Sequence, residues 1–243
     1  MTEERIVTAA LLVIGDEILS GRTKDRNIGT VAEHLTNIGV RLKEVRVVPD
    51  EESEIVLAVN ALRARFTYVF TTGGIGPTHD DITADSIGKA FGIPVGIDAR
   101  AEKILRDYYD AKGLEVTPAR LRMARLPADA ELIDNPVSVA PGFRVANVIV
   151  MAGVPNIMQA MLEGVTPSLE TGAKLLSVTI PVDRPESEIA EILSAHQQRF
   201  SDVAMGSYPL LRNGRHASDL VLRCSDPARL EEAALTLKAA LSL

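Results

Sequence analysis

The chain has 243 residues, with 33 Asp and Glu against 26 Lys and Arg and a formal net charge of −7 at pH 7. At about 150 residues per domain it is one large domain or two unequal ones, and its 46% hydrophobic and 24% charged residues exclude a disordered or fibrous chain. The acidic balance, 4% aromatic content and lack of Trp argue against nucleic-acid binding, which needs basic side chains for phosphates and aromatic platforms for bases.

Cys224 is the only cysteine, so an internal disulfide and thiolate zinc are excluded, in keeping with a reducing compartment. Met1-Thr2-Glu3-Glu4-Arg5 is acidic where a secretory signal is positive, and the apolar run Ala9–Ile14 is too short to span a bilayer. A cytoplasmic protein without membrane contact is expected.

Thr8–Ile14 is a continuous apolar run ending at Gly15, the pattern of a strand buried on both faces of a parallel sheet. Ile28, Val31, Ala32, Leu35 and Ile38 then mark a helix stopped by Gly39. Val40–Val48 predicts a strand, Ile55, Val56, Val59 and Leu62 a helix face, and Tyr68–Thr72 a third strand running into a glycine-rich turn. A helix follows to about Phe91, with Thr83 or a neighbour as its cap; Asp98 caps another to about Lys112, and Pro118 opens a short one. Asn147–Ala152 is a further buried strand, and Val154-Pro155 opens a helix with Ile157, Met158, Met161 and Leu162 on one face. Strand–helix alternation predicts an α/β fold of three layers, a mostly parallel sheet with helices on both faces.

The pattern fades near Thr166–Gly172. Leu176, Val178, Ile180 and Val182 then alternate with polar residues, as in a strand with one exposed face. Asp183 and Glu186 have capping-box spacing before a helix carrying Ile189, Ile192, Leu193, His196 and Phe200. Strands Met205–Leu211 and Ala217–Cys224 flank the hairpin signal Asn213-Gly214, and Asp226-Pro227 starts a last helix. The reading is two domains, residues 1–170 and a small βαββα unit over residues 174–243.

The run Thr72-Gly73-Gly74-Ile75-Gly76-Pro77-Thr78-His79-Asp80-Asp81 places glycines between a strand and a helix N-terminus, where backbone amides can face an anion. No Gly-Lys-Ser/Thr follows, so it is not a Walker loop, and His79 replaces the third glycine of a dinucleotide fingerprint. Two carboxylates after such a loop repel a bare phosphate. They fit if a divalent metal such as Mg²⁺ lies between, although acidic first turns also serve as plain helix caps. Gly15-Asp16-Glu17 follows the first strand and Asp50 the second, so all three turns fall on the carboxyl edge of a parallel sheet, where ligands bind. This convergence favours a metal-assisted phosphate site. His34, His196 and His216 lack metal-ligand spacing, and His79 reads as a turn residue with phosphate donation as the alternative. Cys224 reads as core, Met158 and Met161 as core or interface, and Arg63, Arg65, Arg120, Arg122 and Arg125 as a solvated or oligomer face, with ligand-phosphate contact by one of them as the alternative.

These segments, with Ser20, Asn27, Ala140-Pro141-Gly142-Phe143 and Gly153-Val154-Pro155, resemble the molybdopterin-binding-fold family, and within it the N-terminal part of competence/damage-inducible protein CinA. The small unit is similar to the KH-like domain that follows there. The amidase domain of full-length CinA has no counterpart before Leu243, so no deamidase role is expected. The resemblance implies a small phosphate-containing ligand, a nucleotide or a pterin, and a symmetric homo-oligomer. The activity it implies is metal-dependent hydrolysis of ADP-ribose or FAD-type pyrophosphates; handling or adenylation of molybdopterin, and binding without turnover, are the alternatives. By position it implies that Gly73, Gly74, Gly76, Thr78, Ser20, Asn27, Gly142 and Pro155 contact substrate or phosphate. Asp81, Asp80 and Asp50 would be catalytic, and Asp81, Asp80, Asp16 and Glu17 would hold the metal. The chain departs from the family pattern at Asp25-Arg26-Asn27 and at Asn135-Pro136 with Ser138-Val139, which leaves the organic part of the ligand open. The hairpin Arg212-Asn213-Gly214-Arg215 lacks the Gly-x-x-Gly clamp of nucleic-acid-binding KH domains.

Overall fold

The computed structural model describes residues 6–243, so the acidic stretch Met1–Arg5 lies outside the described residues. The chain divides after Gly172 into two compact units.

In the large unit, β1 (Val7–Ile14), β2 (Val40–Val48), β3 (Tyr68–Thr72) and β8 (Val148–Met151) are mutually parallel, in the order β2-β1-β3-β8. The sheet continues through β7 (Gly142–Val145) and β6 (Glu131–Ile133), both paired antiparallel. These two short strands, and the separate pair β4 (Val95–Ile97) with β5 (Arg125–Pro127), escape the sequence pattern, because three or four residues carry too little periodicity.

Successive residues of β1 feed opposite cores: Ala10, Leu12 and Ile14 on one face, Ala9, Leu11 and Val13 on the other. Helices α3 (Glu52–Arg63), α4 (Thr83–Phe91) and α5 (Ala99–Ala111) cover the first face through Ile55, Leu62, Ile87 and Leu105. Helices α2 (Asn27–Asn37) and α7 (Pro155–Val165) cover the second through Val31, Leu35, Met158 and Met161. A one-turn α1 (Asp16–Leu19) and a short α6 (Pro118–Arg122) complete the unit.

This arrangement fixes where a ligand can enter. The chain leaves β1 for α2 on one face and leaves the adjacent β3 for α4 on the other, so a crevice opens between their carboxyl ends.

The small unit runs β9 (Leu176–Val182), α8 (Glu186–Arg199), β10 (Ala204–Arg212), β11 (Arg215–Cys224) and α9 (Pro227–Ala240), with antiparallel order β10-β11-β9. Asn213 and Gly214, at φ 54° and 75°, form the two-residue turn of the β10–β11 hairpin. Asp226 caps α9 by accepting from the amides of Ala228 and Arg229. The capping box expected at Asp183 and Glu186 does not form: Pro185 occupies the N-cap, and Asp183 pairs with Arg212 at 2.6 Å instead. His196 is buried and bonds the carbonyl of Ala233, Cys224 is buried, and His34 meets Thr166, so these residues serve packing. Among the described residues no helix is long and apolar enough to cross a membrane.

Candidate active site

A cavity of about 490 Å³ opens at the carboxyl edge of the large sheet, lined by residues that follow β1, β3 and β8. Its glycine-rich wall is locked by backbone geometry. Gly73 sits at φ +103°, and a Cβ there would stand 2.2 Å from the Ile14 carbonyl oxygen. Gly74 sits at φ +67°, where a Cβ would meet the Thr83 hydroxyl at 2.1 Å. Only glycine lets the loop lie this close to β1 and to the start of α4. Thr83 is the first residue of α4 rather than its cap; its hydroxyl donates to the Gly73 carbonyl and its amide to that of Gly74, pinning loop to helix. Among the described residues the amides of Gly74, Ile75 and Gly76 meet no protein acceptor, as an anion cradle requires.

Four carboxylates line the cavity: Glu17, Asp50, Asp80 and Asp81. Asp81 is half-buried, and its Oδ2 accepts from the Thr78 amide at 2.8 Å and the Thr78 hydroxyl at 2.5 Å, which closes the turn. Asp50 Oδ2 accepts the Asp16 amide at 3.0 Å. Burial is the main cause that raises the Asp50 pKa above the ordinary carboxylate value; the Asp16 amide opposes it, and the charges of Asp16, Glu17 and Asp80 add to it. The Thr78 hydroxyl and its own amide hold the exposed Asp80 below that value. Among the described residues the cavity's carboxylates form no ion pair with Lys or Arg, and Asp80 stands 3.8 Å from the exposed ring of His79.

These all-oxygen donors, without a Lys or Arg partner among the described residues, have the chemistry that suits a hard cation. Among the described residues no cluster of three or more His, Cys, Asp or Glu forms a ready cage. Two carboxylates facing one cavity are the donor set that a cation such as Mg²⁺ takes, with substrate phosphates and water completing its shell.

The other expected residues fall in different places. Pro155 lines the cavity as the first residue of α7, and Asn27 is buried beside it, donating to the Gly153 carbonyl at 2.8 Å. Asp16 faces solvent and reaches the cavity through its amide and charge on Asp50, so its carboxylate is not a lining group. Thr78 acts on Asp81 rather than on the cavity, and Ser20 is an exposed residue ending α1. Gly142 is a buried residue of β7 whose Cβ would stand 2.5 Å from the Val150 carbonyl, so close strand packing requires glycine there. Arg63 lies over Phe91 and Arg125 pairs with Asp85, while Arg122 lines a small recess behind the glycine loop together with Asp81.

Asn135 and Ser138 line the cavity without having been singled out as ligand contacts. Asn135 organises its loop: Oδ1 accepts from the amides of Val137 and Ser138, and Nδ2 donates to Ser138 Oγ and the Ala140 carbonyl. The next residue, Val139, is held at φ +70°, a strained conformation for a β-branched side chain. The signal was present in Asn135-Pro136 and in the Ser138-Val139 departure. Along the strand order the lining grades from carboxylates after β2, β1 and β3 to the apolar Ala152, Val154 and Ile157 after β8.

Residues 10–171 match the family described as "Probable molybdopterin binding domain", and residues 174–243 match "FAD synthase, middle domain". CinA of Thermoplasma acidophilum, a protein of unknown function, superposes with a TM-score of 0.62 at 34% identity, over 67% of this chain and 98% of its own. A probable FAD synthase of Caenorhabditis briggsae is 33% identical over 95% of this chain and 49% of its own length. A CinA-like protein of Desulfosudis oleivorans is 35% identical over 75% of this chain and 47% of its own, so the chain spans about half of each of these two relatives. The chain belongs to the molybdopterin-binding-domain family as a CinA-like member, with a second domain similar to the middle domain of FAD synthase.

Proposed function

We propose that this protein is a metal-dependent hydrolase of a nucleotide pyrophosphate of the FAD or ADP-ribose type. The observation that carries the reading is the meeting, on one cavity, of three amides without protein acceptors and four carboxylates without a Lys or Arg partner among the described residues. A pyrophosphate supplies the anion for the first set, and a divalent cation such as Mg²⁺ reconciles it with the second. Asp81 and Asp80 would hold that cation, which when bound neutralises phosphate charge and makes a nearby water more acidic.

The chain's own groups then divide the work. Gly74, Ile75 and Gly76 bind the phosphate oxygens through their amides. Thr78 fixes Asp81 in one orientation. Asp50, with Oδ2 held by the Asp16 amide and its proton affinity raised, accepts at Oδ1 the proton of the water that attacks one phosphorus, as the bridging P–O bond breaks and the other phosphate leaves with its substituent. The apolar wall at Val154 and Ile157 packs against the part of the ligand next to the phosphates. The small domain's match and the 33% identity to a probable FAD synthase favour a flavin ligand.

The test is hydrolysis of FAD and ADP-ribose with Mg²⁺ by the wild type and Asp81→Asn. The variant should lose at least about 100-fold in rate, on the scale of a catalytic group lost. If Asp81→Asn turns over these substrates as fast as the wild type, the mechanism is wrong. The family match of residues 10–171 favours a second reading, binding or adenylation of molybdopterin. Pterin fluorescence that copurifies with the protein, with no hydrolysis of either dinucleotide, would establish that reading over the first.

A further inference from the structure

A side pocket of about 70 Å³ adjoins the main cavity, sharing Ile14, Glu17, Thr23, Gly153 and Pro155 with it. Two of its lining residues, Asn27 and Thr72, are 4% and 1% exposed. Asn27 is placed by its neighbours: Asp25 Oδ1 accepts the Ile28 amide at 2.7 Å, which fixes the start of α2, and Asn27 Nδ2 donates to the Gly153 carbonyl. That bond consumes the donor end of the amide, and Asn27 Oδ1 remains buried without a partner. Thr72, the last residue of β3, likewise has a buried hydroxyl without a partner. A buried polar atom left unpaired costs about 1–3 kcal/mol, and two beside one pocket mark a place where a partner is missing. With its amide fixed by Gly153, Asn27 Oδ1 can only accept, whereas Thr72 can donate or accept.

We propose that this pocket is the recognition subsite for the ligand's nitrogen heterocycle. An edge N–H or amino group donates to Asn27 Oδ1, and an adjacent ring atom bonds the Thr72 hydroxyl, while the phosphates lie on the glycine loop. The volume matches the edge of a ring rather than a whole base: it equals about two waters at roughly 30 Å³ each. Lys24 and Arg26 also line the pocket, offset by Glu17 and Asp25. The Asp25-Arg26-Asn27 departure from the family pattern thus falls at the pocket that would read the organic part of the ligand. This inference rests on the phosphate reading above.

The experiment compares binding of Mg²⁺ with FAD, ADP-ribose and inorganic pyrophosphate to the wild type, Thr72→Val and Thr72→Ser by calorimetry, alongside the Tm of each ligand-free protein. Thr72→Val removes only the orphan hydroxyl, so its ligand-free Tm should equal or exceed that of the wild type. Pyrophosphate affinity should stay within about twofold, because the glycine loop is untouched, while affinity for at least one of the two heterocyclic ligands should fall about tenfold, the loss of one hydrogen bond in a buried site. Thr72→Ser, which keeps the hydroxyl, should recover most of it. Unchanged affinity for both heterocyclic ligands in Thr72→Val overturns the proposal, as does a ligand-free Tm that falls, which would mark the hydroxyl as the anchor of structural water. If pyrophosphate binds and neither heterocyclic ligand binds more tightly than it, the subsite is refuted and the phosphate reading stands. If none of the three binds, the phosphate reading itself fails.

Discussion

In the small domain two arginines each gather a pair of acids. Arg212 joins Asp183 and Asp219, and Arg229 joins Asp202 and Glu232, all at 2.6–2.8 Å. At the carboxyl edge of the large sheet, Glu17, Asp50, Asp80 and Asp81 gather with no Lys or Arg in ion-pair reach among the described residues. The same residue types are neutralised where they hold a fold together and left unneutralised where they face a cavity. Natural structures tolerate such unrelieved repulsion where a bound partner relieves it. The difference also separates what a mutation should do in each region.

The largest effect should come from the backbone of the cavity. Gly73→Ala forces a Cβ onto the Ile14 carbonyl at a positive φ, with no flexible side chain to yield. A loss of roughly 3 kcal/mol is expected, a Tm drop on the order of 10 °C for a chain of this size. Gly164→Ala is the contrast: nothing lies within 4 Å of its Cβ position in α7, so this variant should match or slightly exceed the wild type. Thermal denaturation of the two variants checks both outcomes, and equal Tm values would remove the argument that the loop is sterically locked.

Next in size is the paired region. Arg229 holds Asp202 and Glu232 and stacks on Phe200 with its guanidinium 4.4 Å from the ring centroid. Arg229→Ala should lower Tm by a few degrees, since packing over the buried Phe200 goes with the charge. Hydrolysis by the folded protein should be unchanged. A matching fall in kcat at a temperature well below the transition would show that the small domain takes part in the chemistry.

The sequence made the parallel strands, their helices and the βαββα unit legible because long segments repeat their period several times. It also placed Gly73, Asp50, Asp81 and Pro155 on one edge, since in a parallel sheet every turn after a strand shares that edge. What escaped it was set by contacts distant in sequence. Gly142 packs closely against the Val150 carbonyl across a strand pair, a contact that no local pattern reveals. Ser20 shares a motif with Glu17, yet the single turn of α1 carries it out to solvent. Thr72 reads as an ordinary strand terminus; that its hydroxyl is buried without a partner, on a pocket shared with Asn27 and Gly153, depends on residues distant in sequence.

The smallest effect isolates the charge difference itself. The Asp50 carboxyl binds its proton more tightly in the folded protein than at its ordinary value of 3.8, so ionising it opposes folding. Its contribution is most favourable below about pH 4 and is lost as pH rises through the raised folded value. Asp50→Asn removes that loss while keeping an oxygen that can accept the Asp16 amide. In metal-free buffer at pH 7 the variant should be more stable than the wild type by about a few tenths of a kcal/mol, a small gain because solvent screens a group this exposed. The gap should close below pH 4, where both side chains are neutral. Millimolar Mg²⁺ should raise the Tm of the wild type more than that of the variant, since the cation relieves the same repulsion that the substitution deletes. A variant less stable than the wild type at pH 7, with an undiminished Mg²⁺ response, would show that Asp50 is held by favourable contacts like those of the small domain, and that the two regions do not differ in the way their charges are used.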